Sequence, residues 1–153
     1  MFALYLLIAL LAGLALPIQA AVNSRLAAAA GGETLVATFV SFAVGTIFLF
    51  FAAWAKTDLF GHLATVGQQP WWKLSGGLLG SLFVFTTILL APKLGVANML
   101  FVIIIGQLTA AAIIDHFGLI GMAAREISFS KLLGLGIMAA GLAVFSFGDK
   151  ILK

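Results

Sequence analysis

The chain contains no cysteine. Without thiols there is no disulfide framework, no thiolate nucleophile and no cysteine-based metal site. Histidine is almost as scarce: His62 and His116 stand far apart, neither in an HExxH context, so nothing points to a bound metal or to any cofactor. Charge is the third shortage. Asp, Glu, Lys and Arg supply 8% of the residues while 63% are hydrophobic, whereas soluble domains carry roughly 25% charge. With a mean hydropathy of +1.23, that balance excludes a water-soluble domain and implies an integral membrane protein whose first partner is the lipid bilayer. The formal net charge of +3 comes from eight scattered basic residues. No basic run and no basic patch interleaved with aromatics is present, so nucleic acid is not a partner.

A basic n-region is also missing. The opening apolar stretch runs into "LALPIQAAVNSRLAAAAGG", and Ile18-Gln19-Ala20 has the small-x-small spacing of a leader-cleavage site. A secretory leader, however, begins with basic residues and has an apolar stretch of about 7–15 residues. Here no Lys or Arg precedes Arg25 and the apolar run is longer, so the first helix is expected to be retained, with Gln19, Asn23 and Arg25 part of the protein. Deep carboxylates are missing too. Glu33 and Asp115 fall at helix ends, and Asp58, Glu126 and Asp149 in loops or the tail, which argues against a cation exchanger built on a buried acid. Nothing assembles a nucleophile, a base and an oxyanion site, so an enzyme, with catalytic residues of its own, is not expected.

What is present is length without charge. Five uncharged intervals, Met1–Ser24, Thr34–Ala55, Leu74–Pro92, Leu94–Ile114 and Leu132–Gly148, each meet the roughly 17–25 apolar residues of a spanning helix. They predict one transmembrane domain, residues 1–153, with helices over about 2–24, 34–55, 73–91, 95–116 and 130–149. Between them lie "AGGE", "KTDLFGHLATVGQQPWWK", "APKLG" and "DHFGLIGMAAREISFSK", rich in turn residues and charge, and Trp54, Trp71 and Trp72 stand at helix ends. Continuous apolar runs such as "FVIIIG" do not alternate as barrel strands do. The expected fold is therefore all-α, a bundle of five transmembrane helices.

The flanking charges balance. The membrane face holding the N-terminus receives Lys56, Lys73, Arg125 and Lys131, and the opposite face receives Arg25, Lys93, Lys150 and Lys153. Because the excess of Lys and Arg in short cytoplasmic loops sets orientation, a tie leaves it undetermined. Two readings stand: a weak bias settled by a few groups, or insertion both ways round and pairing as an antiparallel homodimer, which reproduces between two chains the inverted repeat of larger transporters.

Polar side chains gather toward the face opposite the N-terminus. Gln19 and Asn23 lie four residues apart on one face of the first helix, Thr34, Thr38 and Ser41 form a stripe on the second, Thr86 and Thr87 close the third, and Asn98 opens the fourth. Each hydroxyl alone reads as helix glue bonded to the preceding turn. Together they suggest an uncharged vestibule. Gln107, beside Gly106 in the middle of the fourth helix, is the leading single candidate for substrate contact; its alternative is an interhelical packing bond. Asp115 and His116 read either as an ordinary interfacial helix end or as a gating or proton-coupling pair. Gly76 and Gly80 on the third helix, and Gly134 and Gly141 seven residues apart on the fifth, read as helix-packing faces. Pro17 frees a carbonyl near Gly13 and favours a kink.

"LPIQAAVNSRLA", "GQLTAAAIIDHFGLIG" and "KLLGLGIMAAGLAVF" together resemble the drug/metabolite transporter superfamily, in its half-size, five-helix branch of bacterial inner-membrane exporters. Pro17, Gln19, Asn23, Gln107, Asp115, His116 and Gly118 carry the resemblance. It implies a five-helix unit acting as a homodimer, in the manner of larger relatives with ten helices in two inverted halves, and it names no substrate. The deep glutamate of the four-helix multidrug members is absent here. The leading expectation is thus a secondary transporter exporting a small organic solute by alternating access, with Gln19, Asn23, Thr38, Ser41, Asn98 and Gln107 lining its path. The alternative is a dual-topology channel for a small anion, and a third class is a membrane scaffold.

The tie of charges generates a prediction. Single cysteines at Ser24 and Gly67 should each be labelled from outside in part of the population, and one Lys added near the C-terminus should shift that population toward one orientation. Labelling of only one position from outside, in the wild-type charge background, would rule dual topology out.

Overall fold

The computed structural model describes residues 1–151, with side chains through Gly148; Lys153 and the side chains of Asp149 and Lys150, named above for their charge, lie outside the described residues. Hydrocarbon offers no partner to a backbone N–H or C=O, so a spanning segment must satisfy its own. The described residues accordingly contain helices and no strand: α1 (Phe2–Ala29), α2 (Thr34–Lys56), α3 (Leu59–Val66), α4 (Gly76–Leu94), α5 (Val96–Phe117) and α6 (Phe129–Ile151). All but α3 are long and apolar enough to cross a membrane, giving five spans as the composition demands. Side chains such as Phe39, Phe48 and Leu78 are over 70% exposed within the chain. That much exposed apolar surface is what a lipid-facing helix presents and what a soluble monomer avoids.

Two departures from expectation have local causes. The first helix continues five residues beyond Ser24, because Arg25-Leu26-Ala27-Ala28-Ala29 are strong helix formers and only Gly31 and Gly32 stop them. Arg25 is therefore a helix residue, and α1 is about 42 Å long at 1.5 Å per residue. The helix also runs unbroken through Pro17. Second, the segment expected to be a loop after Lys56 folds into α3, whose first turn is closed by Asp58 Oδ1 accepting from Gly61 N–H at 3.2 Å. At eight residues α3 rises about 12 Å, far short of a span.

The chain divides into two compact units, Met1–Lys93 and Leu94–Lys153. In the first, α1 turns into α2 through Gly31 and Gly32, at φ +73° and +92°. Gly32 N–H reaches back to Ala27 C=O at 2.9 Å, a carbonyl that also accepts from Ala30 N–H at 3.1 Å, and so closes the helix end. The core of this unit is Ala27 on α1, Ala37 on α2 and Val84 and Ile88 on α4, with Leu26, Phe42 and Phe83 packed around it. Two alanines at the α1–α2 contact bring the helices close. Gly80 leaves room for Phe42, whose ring would lie 3.6 Å from a Cβ placed there. Before α4, Lys73 Nζ donates to Gln69 Oε1 at 2.7 Å and sits 5.8 Å from the Trp72 ring centre, an anchor of the kind found at headgroup depth.

In the second unit α5 and α6 pack as a hairpin, with the Phe101 and Phe145 rings 4.7 Å apart. The connection folds back on the end of α5. Arg125 N–H donates to Asp115 C=O at 2.6 Å, and Ile127 N–H donates to His116 Nδ1 at 3.1 Å. Gly118 makes the reversal at φ +58°, where a Cβ would stand 3.1 Å from Met122 C=O and 3.2 Å from Ala124 Cβ.

Gly118→Ala therefore meets both a left-handed backbone and a crowded site, and should destabilise the protein by about 1–2 kcal/mol. Gly136→Ala, mid-helix with nothing within 4 Å of its would-be Cβ, should be neutral or stabilising by up to about 1 kcal/mol. Chemical unfolding in detergent compares them, and equal effects would contradict the crowding at Gly118.

Candidate functional site

The polar residues of α1 and α2 meet at one seam. Asn23 is 5% exposed, and a buried amide without partners is costly. Its Nδ2 donates to Ser41 Oγ across the helix interface at 3.0 Å. Ser41 also helps line an open cavity of about 180 Å³ with Gln19, Phe42, Gly45, Thr46 and Leu49. Ser41 is thus the hinge between a buried amide on one side and an accessible cavity on the other. Its neighbours there are one amide, one further hydroxyl, an aromatic face and alkyl groups, with no charged side chain. Such a wall can donate and accept hydrogen bonds to a solute without the desolvation cost of a buried ion.

Of the residues singled out from the sequence, Gln19, Asn23 and Ser41 are brought together. Thr38 lies on the same helix face and is buried, but its Oγ1 donates to Thr34 C=O at 2.8 Å and so serves its own helix. Thr46, five residues after Ser41, lines the cavity and was not anticipated. The stripe Thr34, Thr38, Ser41 does not extend to it, because five residues after Ser41 is about 140° round the helix at 3.6 residues per turn.

A second cavity of the same unit, about 280 Å³, lies beside the α1–α2 turn. Ser24, Ala27, Gly32 and Thr34 wall it on one side, and Ile88, Pro92 and Lys93 on the other. The polar groups near the face opposite the N-terminus therefore flank open space.

In the second unit, Asn98 Nδ2 donates to Leu94 C=O at 3.2 Å and its Oδ1 accepts from Ser146 Oγ at 3.4 Å, tying α6 to the start of α5. Gln107 is exposed on α5 and lines none of the three cavities described here. Asp115 and Lys131 line a groove of about 310 Å³ between α5 and α6 with Leu108, Ala111, Ala112, Gly134, Leu135 and Met138. His116 is held by Ile127 N–H, so its Nδ1 is an acceptor and carries no proton in this arrangement. Its ring lies edge-on to Phe117 at 4.6 Å.

Of the four glycines expected at packing faces, Gly80 meets Phe42, while a Cβ at Gly76, Gly134 or Gly141 would find nothing within 4 Å in this chain. Among the described residues no cluster of His, Asp or Glu is arranged to hold a metal.

Residues 4–144 match the protein family described as "Putative inner membrane exporter, YdcZ". Among curated proteins, the Inner membrane protein YdcZ of Escherichia coli (strain K12) is 28% identical over 130 residues, which is 85% of this chain and 86% of that one. No solved structure matches the chain.

The seam makes a measurable claim. If the Asn23 amide and Ser41 hydroxyl are true partners, a double-mutant cycle of Asn23→Ala and Ser41→Ala should give a coupling of about 0.6–1.7 kcal/mol, the range of interhelical bonds in membranes. Strict additivity would mean that the two side chains do not depend on each other.

Proposed function

Because the chain belongs to the YdcZ family of inner-membrane exporters, we propose that it is a secondary transporter that exports a small organic solute by alternating access, working as a homodimer. Membership of that family supports a role in transport, and the chain is a multi-pass protein of the inner membrane with five apolar spans. The observation that carries the finer reading is the α1–α2 seam: an uncharged polar wall on an open cavity inside a membrane-spanning unit. A cavity near 180 Å³ suits a solute of few heavy atoms that is neutral or zwitterionic overall, with a polar group for Gln19, Ser41 and Thr46 and an apolar part for Phe42 and Leu49.

The dimer is supported by what one chain leaves open. Gln107 is an exposed amide on a spanning helix, and exposure to lipid would leave its donors and acceptor unpaired. Gly76 and Gly141 offer close approach to something beyond this chain. A second copy answers both, and the balanced flanking charges permit it to be inverted. In this reading residues 1–153 act as one five-helix domain. Gln19, Asn23, Ser41 and Gln107 line the path, Thr38 and Asn98 shape its helices, and Asp115 and His116 gate it. The single turn of α1 between Gly13 and Pro17, short of one backbone hydrogen bond, gives α1 a place to bend during the cycle.

Reconstitution into proteoliposomes tests this, with counterflow of labelled small zwitterions and neutral polar solutes as the readout. Saturable counterflow is expected, whereas conductance too fast for a conformational cycle would select a channel. Gln107→Leu keeps a helix-favouring apolar side chain and should lower transport and solute affinity by about tenfold, the 1.4 kcal/mol of one good hydrogen-bonded contact. Unchanged affinity with dimer stability lowered by roughly 0.5–2 kcal/mol would instead make Gln107 a packing residue.

A further inference from the structure

From the groove between α5 and α6, we infer that the chain carries a binding site for a phospholipid whose headgroup joins a phosphate to a primary ammonium, as in phosphatidylethanolamine. The groove, about 310 Å³, has charge at one end only. Asp115 stands two residues before the last residue of α5, and Lys131 two residues after the first residue of α6, so both lie where the hairpin leaves the hydrocarbon. Leu108 and Met138 are each seven residues deeper along their helices, which puts the far end of the groove about 10 Å further into the bilayer at 1.5 Å per residue. Between the two ends the wall is Ala111, Ala112, Gly134 and Leu135, small and apolar groups that form a shallow channel. A Cβ at Gly134 would meet nothing within 4 Å, so the space over that wall is empty in the chain itself.

Charge and depth select the occupant. An anion and a cation side by side at headgroup depth, above an apolar channel, complement a zwitterionic headgroup above an alkyl chain. Lys131 meets the phosphate and Asp115 accepts from the ammonium. A headgroup with phosphate and only hydroxyls would satisfy Lys131 and leave Asp115 facing a like charge. A quaternary ammonium would supply charge but no N–H for the carboxylate. The Asp115 backbone carbonyl is held by Arg125 N–H, which fixes the end of α5 and the carboxylate with it. A second copy of the chain would also cover an apolar groove, but it offers no reason for an anion and a cation both lining its mouth.

Native mass spectrometry of the purified full-length protein, with equimolar phosphatidylethanolamine and phosphatidylglycerol of the same acyl chains, measures the preference. Wild type should retain the ethanolamine lipid about three- to five-fold more, the yield of one partly exposed charge pair. Asp115→Asn should bring that ratio to near one, Asp115→Glu should keep it, and Lys131→Gln should weaken both lipids. Gly134→Leu fills the channel without touching either charge and should reduce all lipid retention, which keeps the proposal testable if a charge variant fails to fold. Three results would overturn it: a preference that survives Asp115→Asn, soluble phosphoethanolamine competing as well as the intact lipid, or absence of any lipid preference together with efficient disulfide formation between copies bearing Leu135→Cys.

Discussion

In hydrocarbon a polar group must find its partner within the protein, and most buried polar side chains among the described residues answer that demand in a way their length allows. Hydroxyls answer it locally. Thr38, Ser81, Thr86 and Thr109 each donate to the carbonyl four residues earlier, and Thr87 to the one three earlier, so their helices carry them without help. Amides hold two donors and an acceptor, more than one neighbouring carbonyl can absorb. Asn98 needs both Leu94 C=O and Ser146, and Asn23 reaches across to Ser41. Every buried side-chain nitrogen and oxygen among the described residues has a partner. Gln19 and Gln107, by contrast, are exposed. The same rule that pairs the other amides makes these two the places where a solute or another chain has most to offer.

That division explains what could be read before the fold was known. Five spans followed from charge-free length alone, because the backbone constraint leaves a membrane segment no alternative to helix. Helical spacing put Gln19 and Asn23 on one face and Thr34, Thr38 and Ser41 on another, but it did not say that α1 would pair with α2. Which of those residues would meet depended on packing. Ala27 and Ala37 set the close approach that puts Asn23 against Ser41, and nothing in a run of alanines announces which one touches. Thr38 shows the limit most clearly: placed on the stripe by spacing, it turns its hydroxyl to its own helix.

The misread segments failed for physical reasons of another kind. Residues 25–29 were assigned outside the first span because Arg25 carries charge, yet a long side chain at a helix end can extend its guanidinium toward water while its stem stays apolar. Charge marks where a span leaves the hydrocarbon, not where its helix stops. The α3 segment reads as a connection because it is rich in turn residues and charge, but Asp58 caps it and a helix needs no membrane to persist at an interface. The groove at Asp115 and Lys131 was legible in neither residue alone. Sixteen positions separate them, and only the α5–α6 hairpin makes them neighbours.

The connection after α5 shows why a helix end is the natural place for control in such a chain. Inside the bilayer, bonds are made once and are costly to exchange, since no water stands ready to replace a lost partner. At the membrane boundary water competes, and a bond such as Ile127 N–H to His116 Nδ1 can open without leaving either group stranded. It is also the one bond of the segment made to a titratable acceptor, while the neighbouring bond from Arg125 N–H goes to a backbone carbonyl that does not titrate. Gly118 makes the reversal that brings both bonds within reach, in a left-handed conformation where a Cβ would crowd Met122 and Ala124.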